Sequence, residues 1–200
     1  MEKACRCAAK LNDYGNLNMM AGSNSLLGAA APGFDEPLDM LRACHGRIEA
    51  QCQTLEKLLA HLARAGCDRQ ASQAAAAVLR YFNTAGRNHH ADEEMNLFPG
   101  LLQSAAPAQR EEIRVLISRL LDEHAAMERA WARLRGPLLD LSEGRTAVLS
   151  AADVADFTGR YRRHIETENT LLLPWAERVL PPEQRECLGR AMAERRGVRR

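Results

Sequence analysis

Four of the six histidines in this 200-residue chain, His45, His89, His124 and His164, fall where an amphipathic helix would ordinarily carry leucine. Two of them are followed four residues later by an acid, Glu93 and Glu168. Positions i and i+4 stand one above the other on a helix, about 6 Å apart along its axis. A carboxylate in an apolar interior is costly unless it is paired or bound to a cation. Two carboxylates among four neutral imidazoles are therefore a donor set for metal, of the kind that helical bundles project inward from facing helices.

Four long segments with a 3.6-residue apolar period must position these groups. The first, about 36–65, carries Leu38, Leu41, His45, Ile48, Cys52 and Leu55 on one stripe and stops at Gly66, which tolerates positive φ. The second, about 70–98, carries Val78, Phe82, Ala85, His89, Glu93 and Leu97, with Pro99-Gly100 punctuating its end and one more turn left open beyond it. The third, about 108–135, carries Ile113, Ile117, Leu120, His124, Met127, Trp131 and Leu134, begins behind Pro107 and closes at Gly136-Pro137. The fourth, about 151–179, starts after the N-cap Ser150 and carries Val154, Phe157, Tyr161, His164, Glu168 and either Leu171 or Leu172. Pro174 predicts a kink or break in it, and a short fifth helix follows Pro181-Pro182. No segment alternates like a strand. Short connections imply antiparallel neighbours, so the expected fold is all-α: an up-down-up-down four-helix bundle with a short C-terminal helix. In such a bundle the candidate ligands lie within about two turns of a common level.

An internal echo strengthens the case for one shared site. His89-x3-Glu93-x3-Leu-Phe-Pro99 matches His164-x3-Glu168-x3-Leu-Leu-Pro174 position for position, and each unit is preceded by a lone helical histidine, His45 or His124. Two helix pairs built this way supply a pseudo-two-fold pair of metal sites. His90 and Glu94 are rotated about 100° from the ligand stripe; His90 reads as a second-layer or solvated residue and Glu94 as an alternative carboxylate. Glu128, four residues after His124, reads equally as a further ligand or as half of a surface ion pair. Glu128, His90 and Glu94 are thus additional candidates. Tyr161 reads as a core aromatic, with a phenol near the metals as the alternative, and His61 as an exposed residue off its stripe.

Composition removes several other classes. The 27 basic and 26 acidic residues leave a formal net charge of +1, which gives no electrostatic footprint for nucleic acid. No apolar run approaches the roughly 18 residues needed to span a bilayer, so no membrane partner is expected. The six cysteines contain no Cys-x-x-Cys pair and no disulfide-like spacing, which points to reduced thiols and a cytoplasmic protein, with Cys44 and Cys52 as small core residues. Residues 1–34 lack the apolar region of a signal peptide and read as a flexible leader ending at Pro32-Gly33. Residues 35–180 read as the bundle domain and 181–200 as the short helix with a basic tail.

His45, the His89-His-Ala-Asp-Glu93-Glu-x-x-Leu-Phe-Pro99 segment, Glu123-His124 and the His164-x3-Glu168…Pro174 segment resemble the bacterial hemerythrin-like, or HHE cation-binding, domain over about residues 36–180. The resemblance implies a non-haem centre of two iron ions with an oxo or hydroxo bridge, meeting a small diatomic ligand or peroxide. It further implies His45, His89, His124 and His164 as terminal ligands and Glu93 and Glu168 as bridges. Oxygen-carrying hemerythrins differ at two places: they have a second histidine on the third helix where this chain has Glu128, and an aspartate five residues after the fourth-helix histidine where this chain has Glu168 after four. More carboxylate and less imidazole makes a harder site, suited to ferric iron, which argues against reversible oxygen carriage. Structural zinc favours four ligands, often thiolate, and fits less well. The expected function is binding or sensing of dioxygen, nitric oxide or redox state, or holding iron. The alternative is an enzyme that reduces peroxide or oxidises ferrous iron. A second copy of the chain or another protein partner stays open.

Overall fold

The computed structural model describes residues 32–198, and the leader expected over 1–34 falls almost wholly outside them. Among the described residues every regular element is helical: α1 Pro37–Ala65, α2 Arg69–Asn83, α3 Ala85–Asp92, a π-helical turn Glu93–Leu97, α4 Phe98–Ser104, α5 Pro107–Ser142, α6 Ala151–Thr167, a second π-helical turn Glu168–Leu172, α7 Leu173–Val179 and α8 Pro182–Arg195. Helix α1 packs on α2 and α6, and α5 packs on the same two, which closes a four-helix bundle.

Local chemistry starts and stops these elements largely as expected. Gly66 ends α1 with φ +71°, and Ser150 caps α6 by accepting the Asp153 N–H at 3.2 Å. Asp68 does the same for α2, accepting from Ala71 at 2.9 Å. Two expectations need correction. The second helix is not continuous: Thr84 leaves helical geometry (φ −127°, ψ −82°), so Ala85 becomes exposed and Gly86 takes the buried place under the Phe82 ring. Gly136-Pro137 does not end α5, which runs to Ser142 because Leu134, Leu138 and Leu141 are fully buried on its core face; their packing outweighs the missing Pro137 N–H. The further turn left open beyond Pro99-Gly100 is present, and helix continues to Ser104.

The two π turns explain how the helices pass Pro99 and Pro174. Proline has no N–H to donate and its ring crowds the carbonyl four residues back. Widening the preceding turn re-registers the ladder, so Phe98 N–H donates to the Glu93 carbonyl and Leu173 N–H to that of Glu168. Both glutamates therefore open a π turn, and the internal echo in the sequence is an echo in backbone geometry.

Two apolar clusters sandwich the level at which the histidines lie. One holds Ile48, Leu55, Phe82, Met127, Trp131, Phe157 and Tyr161; the other holds Leu41, Leu97, Leu120, Leu172 and, from α8, Leu188 and Met192. Truncating the fully buried Phe157 to Ala would cost about 3–5 kcal/mol. Helix α8 closes over the second cluster with Gly189 against the Phe34 carbonyl, where an added Cβ would stand 1.9 Å from the oxygen.

Candidate metal centre

Each bundle wall delivers its polar residue between two apolar ones: His45 between Leu41 and Ile48 on α1, His124 between Leu120 and Met127 on α5, His164 between Tyr161 and Leu172, and His89 between Phe82 and Leu97. The six side chains singled out by stripe position all reach the interior, none more than 4% exposed. Leu172, not Leu171, completes the fourth stripe.

The distances among them are those of ligands around two points. His45 Nε2 is 3.1 Å from one oxygen of Glu168, and His164 Nε2 is 3.2 Å from the other. His89 Nε2 is 3.3 Å from one oxygen of Glu93, and His124 Nε2 is 3.4 Å from the other. Each carboxylate thus faces a histidine of the first helix pair with one oxygen and a histidine of the second pair with the other. His124 Nε2 and His164 Nε2 are 3.0 Å apart. Donors bound at about 2.1 Å in adjacent octahedral positions stand about 3 Å from each other, so the cluster has the spacing that cations require.

Two groupings describe the result. His45, His89, Glu93 and Glu168 bring one ligand atom each to within 4.8 Å of one another, and so do Glu93, His124, His164 and Glu168. His90 joins the second side, forming a group with His124 and His164. The solvated reading of His90 is corrected here: its Nε2 is buried without a hydrogen-bond partner, and its ring stacks on His124 at 4.0 Å. Residues 100° apart on α3 straddle the inward direction, so His89 meets the His45 ring at 4.9 Å while His90 turns to α5.

An outer layer fixes the rings. His45 Nδ1 pairs with Asn169 Oδ1 at 2.8 Å, His124 Nδ1 with Glu94 at 2.6 Å and His164 Nδ1 with Glu123 at 2.8 Å. An acceptor at Nδ1 puts the proton there and leaves the Nε2 lone pair pointing inward, the usual arrangement behind a metal-bound imidazole. Glu94, 41% exposed on its side chain, therefore stands behind His124 and not in the cluster. Glu128 is exposed and 3.2 Å from Arg87, the ion-pair alternative. His61 is half-buried and paired with Asp68 at 3.0 Å. Sequence reasoning missed Asn169 and assigned no role to Glu123; the available signal was that each adjoins a candidate ligand.

Burial and mutual proximity set the electrostatics of this layer. Burial, then the neighbouring imidazoles, hold His89 and His90 well below the usual imidazole range. Burial and the adjacent Glu168 push Glu93 well up. Burial opposes the charge on Glu168, but His164 and the other imidazoles outweigh it and hold it well down. Burial likewise opposes charge on His164, and Glu168 and Glu123 outweigh it in the upward direction. Both oxygens of Glu93, both of Glu168, and Nε2 of His45, His89 and His90 have no hydrogen-bond partner. Buried polar atoms are almost always paired. Unpartnered lone pairs converging from three of the four helix walls fit cations and little else.

The Hemerythrin HHE cation binding domain matches residues 36–176 of the chain. The chain belongs to that family. A Haemophilus influenzae protein named "Uncharacterized protein" is 29% identical to this hemerythrin-family chain over 166 residues, covering 83% of this chain and 93% of its own length. Cation binding by a His/Glu cluster inside a helical bundle is the property the family membership and the geometry support together. The family match ends before α8 begins.

Proposed function

We propose that this hemerythrin-family protein holds two iron ions, either to bind or sense dioxygen, nitric oxide or redox state with them or simply to hold iron. The observation that carries the reading is the double-facing of both carboxylates: Glu93 and Glu168 each present one oxygen to each helix pair. They would bridge the ions, beside an oxo or hydroxo bridge, with His45 and His89 on one and His124, His164 and His90 on the other. The mixed nitrogen and oxygen donor set, free of thiolate, favours iron over structural zinc.

Bound iron would supply redox change and open coordination; the chain decides what reaches it. One side is faced by three histidines and the other by two. The His45/His89 side therefore has more room for an outside molecule. Ligand side chains no more than 4% exposed favour a small molecule, such as a diatomic ligand or peroxide, as what reaches them. The four described cysteines are free, which supports a reducing, cytoplasmic home. No helix among the described residues is long and apolar enough to cross a membrane.

Anaerobic reconstitution with ferrous iron, then absorption spectra on adding oxygen, nitric oxide and peroxide, tests the proposal. Two irons per chain and a charge-transfer band that appears with one of these ligands are expected. Turnover of peroxide or ferrous iron over many cycles would instead make the protein an enzyme. Failure to take up iron would end the reading.

A further inference from the structure

Arg119 sits behind the second half of the centre: it bonds Glu123 at 2.8 Å and Thr167 at 3.4 Å. Glu123 immediately precedes His124, and Thr167 immediately precedes Glu168. In the first half the residues that precede His45 and Glu93 are Cys44 and Asp92. Arg47, from the same helix, donates to the Cys44 thiol at 3.1 Å, and Arg196, which lies just past α8, donates to the two Asp92 oxygens at 3.2 and 2.6 Å. Arg195 adds a bond to Asp92 and another, 2.8 Å long, to Asn96 inside the π turn. Asp92 is completely buried, so its charge depends on these two cations. The tail thus supplies to the first half the brace that the bundle's own Arg119 supplies to the second.

We propose that Arg195 and Arg196 are positioning residues for the first half of the metal centre. Through Asp92 they hold Glu93 in register, so that docking of α8 and loading of metal form one coupled equilibrium. Helix α8 is 14 residues long, and a helix of that length is marginal on its own in water. Its order depends on docking, through Leu188, Met192 and the arginine pair. A ligand that tightens one side of such a linkage tightens the other by the same factor. The inference rests on the metal-binding reading of the same site.

The test uses the full chain, with cobalt(II) as a spectroscopic probe and amide hydrogen exchange as the readout. In the wild type, cobalt should slow exchange across residues 182–195. The double variant Arg195→Ala/Arg196→Ala should lose that slowing, bind cobalt about tenfold more weakly and show an altered cobalt spectrum. Arg196→Lys, which keeps the charge but not the fork, should recover part of the affinity, and Glu194→Gln on the exposed face of α8 should change nothing. A folded double variant with wild-type cobalt affinity and spectrum would overturn the proposal, as would α8 exchange indifferent to cobalt. If the wild type binds no cobalt, the metal reading is what fails, and the metal-free proteins still decide the brace. The double variant should then exchange faster at residues 93–97 but not at 168–172; equal effects on both turns would sink it.

Discussion

The two halves of the centre follow one backbone plan and differ in what surrounds it. Each half gives a lone histidine, a His-x3-Glu unit, a π turn opened by the glutamate and a proline-led helix beyond. The outer partners cross over: the residue after each glutamate, Glu94 or Asn169, supports the lone histidine of the opposite half. Symmetry then breaks at three places. His90 stands where the second half has Ile165, Cys44 where it has Glu123, and Asp92 where it has Thr167. On the proposed reading, the plan common to both halves would serve the bridging of two cations, a symmetric requirement. The differences make one side richer in nitrogen and tie the other to the C-terminal helix, so they would bear on how two such cations differ.

The bridges should matter most and should not respect the halves. Glu93→Ala and Glu168→Ala are each expected to strip metal from both sides, weakening affinity by more than the roughly hundredfold that an outer-layer partner commands. Metal analysis after gel filtration checks this, and full retention of metal in both variants would refute the bridging assignment. Smaller and one-sided is the expected effect of His90→Ile, which copies the second half's Ile165 into the first repeat. Affinity should fall about tenfold or more for one of the two metals, because one nitrogen donor is removed. Two equal losses, or none, would return His90 to a packing role.

The helices, their common level and the six inward groups were legible because they rest on period alone: a histidine every bundle length on an apolar stripe, with an acid one turn on. What escaped rests on interactions between stripes. His90 ranked only as an additional candidate because one stripe per helix was assumed, whereas α3 faces two neighbours and turns residues toward both. The break at Thr84 and the persistence of α5 through Pro137 are cases of tertiary packing overriding local propensity. The π turns had a sequence signal, the proline six residues after each glutamate, but proline alone does not distinguish a widened turn from a helix end.

The outer layer gives a further separation of the halves. His164 leans on Glu123, but His89 Nδ1 has no hydrogen-bond partner, and Cys44 occupies the position that corresponds to Glu123. Glu123→Ala should weaken metal binding about ten- to a hundredfold. Cys44→Ala should do less, since no ring depends on the thiol for a proton acceptor. Competition titrations against a coloured chelator rank the two, and the reverse order would show that the correspondence between Cys44 and Glu123 has no functional content.

Protons provide the finest comparison. His89 and His90 are held below the ordinary imidazole range, chiefly by burial, so near neutral pH they already offer free lone pairs. The metal-free fold should lose stability as pH falls below about 6.5, where the unfolded chain takes protons these rings refuse. His164 carries the opposite sign: Glu168 and Glu123 raise it against burial, so its contribution is present below about 6.5 and is lost as pH rises through its folded value. Glu93, raised by burial and by Glu168, also holds its proton more tightly than an ordinary carboxyl. Metal uptake near neutral pH should therefore release protons from His164 and Glu93 and none from His89 or His90, at most about one per raised group. Calorimetric titration in two buffers of different ionisation enthalpy counts them. Glu123→Gln should lower the count, because removing that carboxylate drops His164 toward the state of the buried rings opposite; a count that stays the same would mean that His164 already binds metal as a free base.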